Sequence, residues 1–282
     1  MNKTVTLILV LSSVGIASAQ TRIPITAAQR EIVVNKAKVA SQVLFGLTTL
    51  PISNVERSGK SIYVSNGLFQ FVFHEDCKMF IISVDENARK TANFRPTKFQ
   101  QSLTDSSAVN WARIYAQKVG ASVDYASPRV SHYPNLGGPS SVRNSIFVRS
   151  NDVVDGIDCN TQGRFCEVQI NAFTGELISI LWQSDATYVG RKSLSRRDLA
   201  DIAIKSKKCT VRDLKVKTPD FLFCNALQFP STRPLIPTGN SASIVIKMYR
   251  VFVGDRQMFF RADSGQYVGE QDGKVSNGRL RK

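Results

Sequence analysis

Histidine is scarce in this chain: 282 residues contain two, His74 and His132, beside two Trp and four Met. Acid–base and zinc chemistry lean heavily on imidazole, so the supply of such groups is small. Long apolar runs are absent beyond residue 16, and a membrane-spanning helix needs about 20 mostly apolar residues. No Gly-x-Ser-x-Gly, Ser-x-x-Lys or His-Glu-x-x-His occurs, which removes the common serine and zinc hydrolase signatures. Ser58-Gly-Lys-Ser61 ends like a phosphate-binding loop, yet Asn54 stands where that motif needs its first glycine, so it reads as a loop entering a strand. Asp152, Asp155 and Asp158 lack the alternate-position carboxylates and terminal Glu of a calcium loop and read as a solvated acidic turn. No metal and no cofactor is implied.

What the chain does have begins at its first residues. Met1-Asn2-Lys3 is a short basic start, Val5 to Ile16 is apolar, and Ala17-Ser18-Ala19 precedes Gln20. This is the three-part pattern of a secretory signal peptide, with cleavage expected near Ala19-Gln20. The apolar part is too short for an anchor, and Gln20, not Cys, stands directly after the expected cleavage site, so a lipid has no attachment point there. The working protein is therefore expected in the periplasm or outside the cell, with no transmembrane segment.

Export changes how five cysteines are read, because disulfides persist in oxidising compartments. Cys159 and Cys166 flank a turn-rich segment, and Cys209 ends a helical segment with Cys224 fifteen positions on beside the apolar run Phe221-Leu222-Phe223, so the expected bridges are 159–166 and 209–224, although sequence alone does not fix connectivity. Cys77 is left over, as a buried thiol or an intermolecular bridge. It also closes the one tight polar cluster, His74-Glu75-Asp76-Cys77, which could ligate a metal or pair Cys with His. Strand alternation would send His74 and Asp76 to one side and Glu75 and Cys77 to the other, so a polar turn is the plainer expectation. His132, in Ser131-His-Tyr-Pro134, reads as a structural loop residue.

Basic residues outnumber acidic ones 37 to 22, a formal net charge of +15. Removing residues 1–19 takes Lys3 alone among the charges and leaves one less, +14. Such an excess draws anionic partners, among them cell-envelope polymers, acidic protein surfaces and nucleic acid, while the spread of Lys and Arg along the chain equally suits a solvated basic surface. The densest runs are Arg191 to Arg197, Lys205 to Lys208 and the terminal Arg279 to Lys282. Strand-rich composition without basic–aromatic motifs argues against sequence-specific nucleic-acid binding.

Three times the chain runs from an amphipathic helix through a variable segment to a set of strands. The first helix opens at the capping box Thr26-Ala-Ala-Gln29 and carries Val33, Ala37, Ala40, Leu44 and Leu47 on one stripe. The second runs from about Asp105 to Val119, with Gly120 as its stop. The third starts at Ser195-Arg-Arg-Asp198 and carries Leu199, Ile202 and Ala203 towards Cys209. Strands are expected at Ser61–Val64, Leu68–Phe73 and Met79–Val84, then at Ser145–Val148, Cys166–Ile170 and Leu177–Trp182, then at Ser243–Val253, Gln257–Arg261 and Gln266–Gly269. The expected fold is α+β, three degenerate units of a helix packed on a small antiparallel sheet. Their bounds are 20–100, 101–190 and 191–273, with a signal peptide at 1–19 and a basic tail at 274–282.

The turns carry the sharpest internal similarity. Asn171-Ala-Phe-Thr-Gly175-Glu-Leu-Ile178 and Arg261-Ala-Asp-Ser-Gly265-Gln-Tyr-Val268 align as x-Ala-x-[Thr/Ser]-Gly-[Glu/Gln]-x-[Ile/Val]. A glycine suits a turn position of positive φ. The first unit reads Ile82-Ser-Val-Asp-Glu-Asn-Ala-Arg89 at this place, without glycine.

At Glu167 to Ile178 the chain resembles the PepSY domain, a module in which a helix packs on an antiparallel sheet. The resemblance covers about a dozen residues of the second unit, is weaker in the third and poor in the first, and Asn171 stands where that family tends to have Asp. It implies a non-catalytic module acting through protein contacts, restraining an envelope or secreted peptidase or binding another envelope protein. A sheet edge or a groove between units would take the partner. The two rival expectations are a binder of anionic envelope polymer and an enzyme with an unrecognised site.

Overall fold

The computed structural model describes residues 24–84, 101–121, 128–133, 144–159, 162–228 and 243–272. The expected signal peptide, the basic tail and the glycine-free turn after Val84 lie outside them. The fold is α+β.

Helix α1 (Ala27–Phe45) starts where the capping box puts it: the Thr26 hydroxyl accepts from the Gln29 N–H at 3.1 Å, and the Gln29 side chain returns the bond. It stops at Gly46, whose φ of 69° few other residues adopt without strain. Val33, Ala37, Ala40 and Leu44 are its buried stripe. Four strands follow in a meander, β1 (Asn54–Ser58), β2 (Ser61–Ser65), β3 (Phe69–His74) and β4 (Met79–Val84). Helix α2 (Asp105–Lys118), capped by Thr104, buries Ala108, Ala112, Tyr115 and Ala116. After it come β5 (Arg129–Tyr133), β6 (Ser145–Asn151), a small hairpin of β7 (Val153–Val154) and β8 (Ile157–Asp158), then β9 (Phe165–Asn171), β10 (Leu177–Gln183) and β11 (Ala186–Val189).

The first two expected helix-and-strand sets share one eight-stranded sheet, in the order β1-β2-β3-β4-β10-β9-β6-β5. The join is the antiparallel pair β4–β10, with Ile82 opposite Ile180. Both helices pack into one continuous core, which holds Val33 and Ala37 of α1, Ala108 and Ala112 of α2, and Phe71, Phe73, Val168 and Ile170 of the sheet. Each Val, Ile or Phe side chain buried there is worth roughly 1.5–3 kcal/mol.

The chain divides into two compact units, one built from residues 22–188 and 235–245, the other from the remainder. The second contains α3 (Arg196–Lys205), α4 (Val211–Val216) and β12 (Asp220–Asn225), then most of β13 (Ser243–Val253), with β14 (Arg256–Arg261) and β15 (Tyr267–Asp272). Strand β13 pairs with β12 and with β14, and β14 with β15. The third expected helix does not run to Cys209. It ends at Lys205, Lys207 turns with φ 57°, and the separate α4 begins after Thr210.

Neither expected disulfide is present: all five cysteines are buried thiols, none bridged to another. Cys166 sits in the main core with Val168 and Ile170, whereas the Cys159 Sγ donates to the Ile157 carbonyl, beside the polar group of Asp152 and Tyr188. Cys209 packs with Leu199, Tyr249 and Phe221. Cys224 lies three positions after Phe221 on β12, and alternation turns it to the other face of the strand. Spacing along the chain does not report which face a thiol occupies.

Candidate functional site

Where the two halves of the large sheet meet, a groove of about 490 Å³ opens on the helix side of the larger unit. Four separate segments build it. Helix α1 contributes its outer flank, Lys36, Val39 and Val43, and the β3–β4 turn contributes His74, Lys78 and Phe80. The C-terminal end of α2 adds Lys118 and Val119, and the end of β10 adds Trp182 with Asp185 just beyond.

The walls are apolar and partly open. Val39 is 60% exposed and Val43 42%, on the side of α1 away from its buried stripe, and Trp182 is buried below. Exposed valines one helical turn apart gain from anything apolar laid against them. The rim is polar. The Lys78 ammonium meets the Asp185 carboxylate at 2.6 Å with both side chains about half exposed, and that hydrogen bond raises the Lys78 pKa. The Lys36 ammonium donates to the Cys77 carbonyl at 2.8 Å, tying α1 to the β3–β4 turn.

His74 lies flat on Phe80, ring centroids 4.0 Å apart and planes 17° from parallel. Burial lowers its pKa, Lys78 pushes the same way and Asp76 opposes, so the neutral imidazole is favoured. The other members of the His74-Glu75-Asp76-Cys77 run do not join it at one point. Glu75 pairs with Arg57 at 2.6 Å, and the Asp76 carboxylate accepts the Lys78 N–H at 3.1 Å. Cys77, at φ 61°, packs into the core under α1, where burial raises its pKa. The run is a hairpin turn, closed by the Cys77 N–H to the His74 carbonyl at 2.9 Å. Among the described residues no three His, Cys, Asp or Glu side chains are grouped to hold a metal.

Two further expectations are corrected. His132 belongs to the edge strand β5 and its Nε2 lies 2.6 Å from an Asp105 oxygen, so it is not in a loop. Asp152 is not solvated: its side chain is 10% exposed, accepts from the Arg164 Nε at 2.7 Å, and accepts from the Tyr188 hydroxyl. That hydroxyl is held in its neutral form by burial and by the hydrogen bond it donates.

Gly175 (φ 75°) and Gly265 (φ 72°) occupy matching places. Their N–H groups donate to the Asn171 and Arg261 carbonyls at 3.0 and 2.9 Å. The residue before each helix cap, Leu103 or Leu194, donates its N–H to the alanine that follows, Ala172 or Ala262. These turns fasten helix to sheet and stand apart from the groove. None of Val39, Val43, Lys118 or Asp185 stood out in the sequence as a site residue; the available sign was a second apolar line on α1, Ile32, Val39 and Val43, opposite the core stripe.

No family model matches the chain, and no curated protein matches it. Among solved structures, the Bacillus megaterium YpeB C-terminal domain is similar at 12% identity and a TM-score of 0.36, over 85% of this chain and 96% of that one.

Proposed function

We propose that this is an exported, non-catalytic binding module of the PepSY-like kind, and that its partner is a protein of the cell envelope or exterior. The groove at the β4–β10 seam receives apolar side chains of an extended partner segment, with Lys36, Lys78 and Lys118 meeting that segment's polar groups. A peptidase of that compartment is the partner class, and occupation of the groove restrains it. The single observation that carries the reading is the pair Val39 and Val43, which stay exposed beside a buried Trp182 in a groove large enough for two or three side chains. A neutral, ring-stacked His74 adds a flat apolar surface to the same wall.

The test is capture from an envelope fraction by the immobilised protein and by a Val39→Glu, Val43→Glu variant. Both positions are exposed, so the variant keeps the parent's melting temperature. The expected result is a captured envelope protein, its peptidase activity lowered in the complex, with both effects lost in the variant. Capture that ignores the variant, or no captured protein at all, contradicts the reading.

A further inference from the structure

The basic excess is unevenly placed in the fold. Among the described residues from 24 to 188, Lys and Arg number eleven, and so do Asp and Glu. Between 191 and 217 stand ten Lys and Arg against three acids, Asp198, Asp201 and Asp213. This stretch forms α3 and α4. Leu199 and Ala203 pack inward on Tyr249, Val251 and Phe260, and all ten cations are exposed.

Partners separate these cations from those of the sheet. Arg250, Arg256 and Arg261 are ion-paired with Asp220, Glu270 and Asp263. Among the described residues, Lys192, Arg197, Lys205, Lys207, Arg212 and Lys215 form no salt bridge. Two of the three nearby acids are engaged at helix starts, Asp198 with Ser195 and Asp213 with Thr210. Three acids against ten cations, with Asp213 close to Arg212 and Asp201 on α3, leave an excess of like charges that repel one another.

Helix α4 adds a second kind of group to this face. Val211 is 55% exposed and Val216 78%. Spacing of four puts Val211 beside Lys215 and Arg212 beside Val216, so valines and cations interleave on the outward side. A soluble polyanion rewards the cations alone, whereas a lipid interface rewards both.

We propose that the outward face of α3 and α4 docks on a bilayer surface bearing anionic phospholipid headgroups. This inference stands apart from the groove and survives if that reading fails. It is tested by co-sedimentation of the purified protein, without its expected signal peptide, with vesicles of phosphatidylcholine alone or mixed with phosphatidylglycerol. Binding is expected only with phosphatidylglycerol present, falling as salt shortens the screening length.

Neutralising Lys192, Lys205, Lys207 and Lys215 to Gln is expected to weaken binding by about a thousandfold, each cation near an anionic surface contributing about 1 kcal/mol. The same change at Arg30, Lys38, Lys60 and Arg113, exposed on the larger unit, is expected to leave binding unchanged, as is neutralising Arg279, Arg281 and Lys282. Val211→Ser with Val216→Ser is expected to weaken vesicle binding about tenfold without altering binding to polyphosphate. Equal loss in either control, equal binding to phosphatidylcholine alone, or indifference of vesicle binding to the two valines overturns the proposal, the last pointing to a soluble polyanion. Unchanged circular dichroism of each variant assigns its effect to the surface.

Discussion

Gly175 holds its α-carbon against the indole of Trp111, so that a β-carbon added there would stand 2.5 Å from Nε1. Trp111 is the seventh residue of α2. Gly265 stands in the same relation to Ile202, the seventh residue of α3, with 2.5 Å from an added β-carbon to Cδ1. The shared turn motif is thus a docking point between hairpin and helix. Gly175→Ala combines a left-handed φ with this clash and is expected to cost about 2–4 kcal/mol in urea unfolding. Gly254→Ala, at φ 57° with nothing within 4 Å, should cost only about 1 kcal/mol. Trp111→Ala in the Gly175→Ala background should recover part of the loss, and equal costs at Gly175 and Gly254 would refute the docking account.

The thiols should be slow to react. Burial is the first cause that raises Cys159 to about 11 and Cys224 to about 12, and it also raises Cys77 and Cys209. Thiolate is the reactive form, so alkylation of the native protein at pH 7.5 is expected to be far slower than that of a free thiol. Unfolding in denaturant without reductant should release five modifiable cysteines. Recovery of a single one would restore the two bridges expected from spacing.

His74 gives the protein a defined response to acid. Its folded pKa lies below the ordinary 6.5, so the unfolded chain takes up the proton first as pH falls. Its contribution to stability is therefore complete above about pH 6.5 and is lost as pH drops from there towards the folded value. Thermal melts at pH 7.5 and 5.5 should show a larger decrease for the parent than for His74→Phe, which keeps the stack on Phe80. An identical decrease in both would place the acid sensitivity elsewhere.

Asp152 is the acid whose removal should hurt most in the larger unit. It holds Arg164 and the Tyr188 hydroxyl in a nearly buried position. Asp152→Ala strands the Tyr188 hydroxyl, whereas the Arg164 side chain is 42% exposed and turns to water, so the expected cost is about 1–3 kcal/mol. Tyr188→Phe in addition should cost little more, because the two share one interaction. Lys78→Ala breaks a half-exposed pair and should change stability by under about 1 kcal/mol.

Much of the fold was legible because local chemistry and burial agree. Capping residues and the 3.6-residue stripe placed α1 and α2 within a residue or two, and alternation found β2, β4, β9 and β10. Strands β1 and β5 escaped notice because Asn54-Val-Glu-Arg-Ser58 and Arg129-Val-Ser-His-Tyr133 are edge strands rich in polar residues. The union of two helix-and-strand sets in one sheet rests on Ile82 opposite Ile180, a pairing across almost a hundred residues that no local pattern encodes. The groove was hidden for the same reason: α1, the β3–β4 turn, α2 and β10 each supply a few side chains, and only the folded chain brings them together. The polar run at His74 drew attention as a cluster, but a hairpin turn sends each side chain to its own partner.

The most direct test of the central claim is site-specific photocrosslinking in secreting cells, with benzoylphenylalanine in place of Val39 in the groove or of Leu68, which is 51% exposed and lies outside it. A discrete crosslink to one envelope or secreted protein from position 39, and none from position 68, is the expected result. Equal crosslinking from both positions, or none from position 39 in cells that export the protein, would contradict the account.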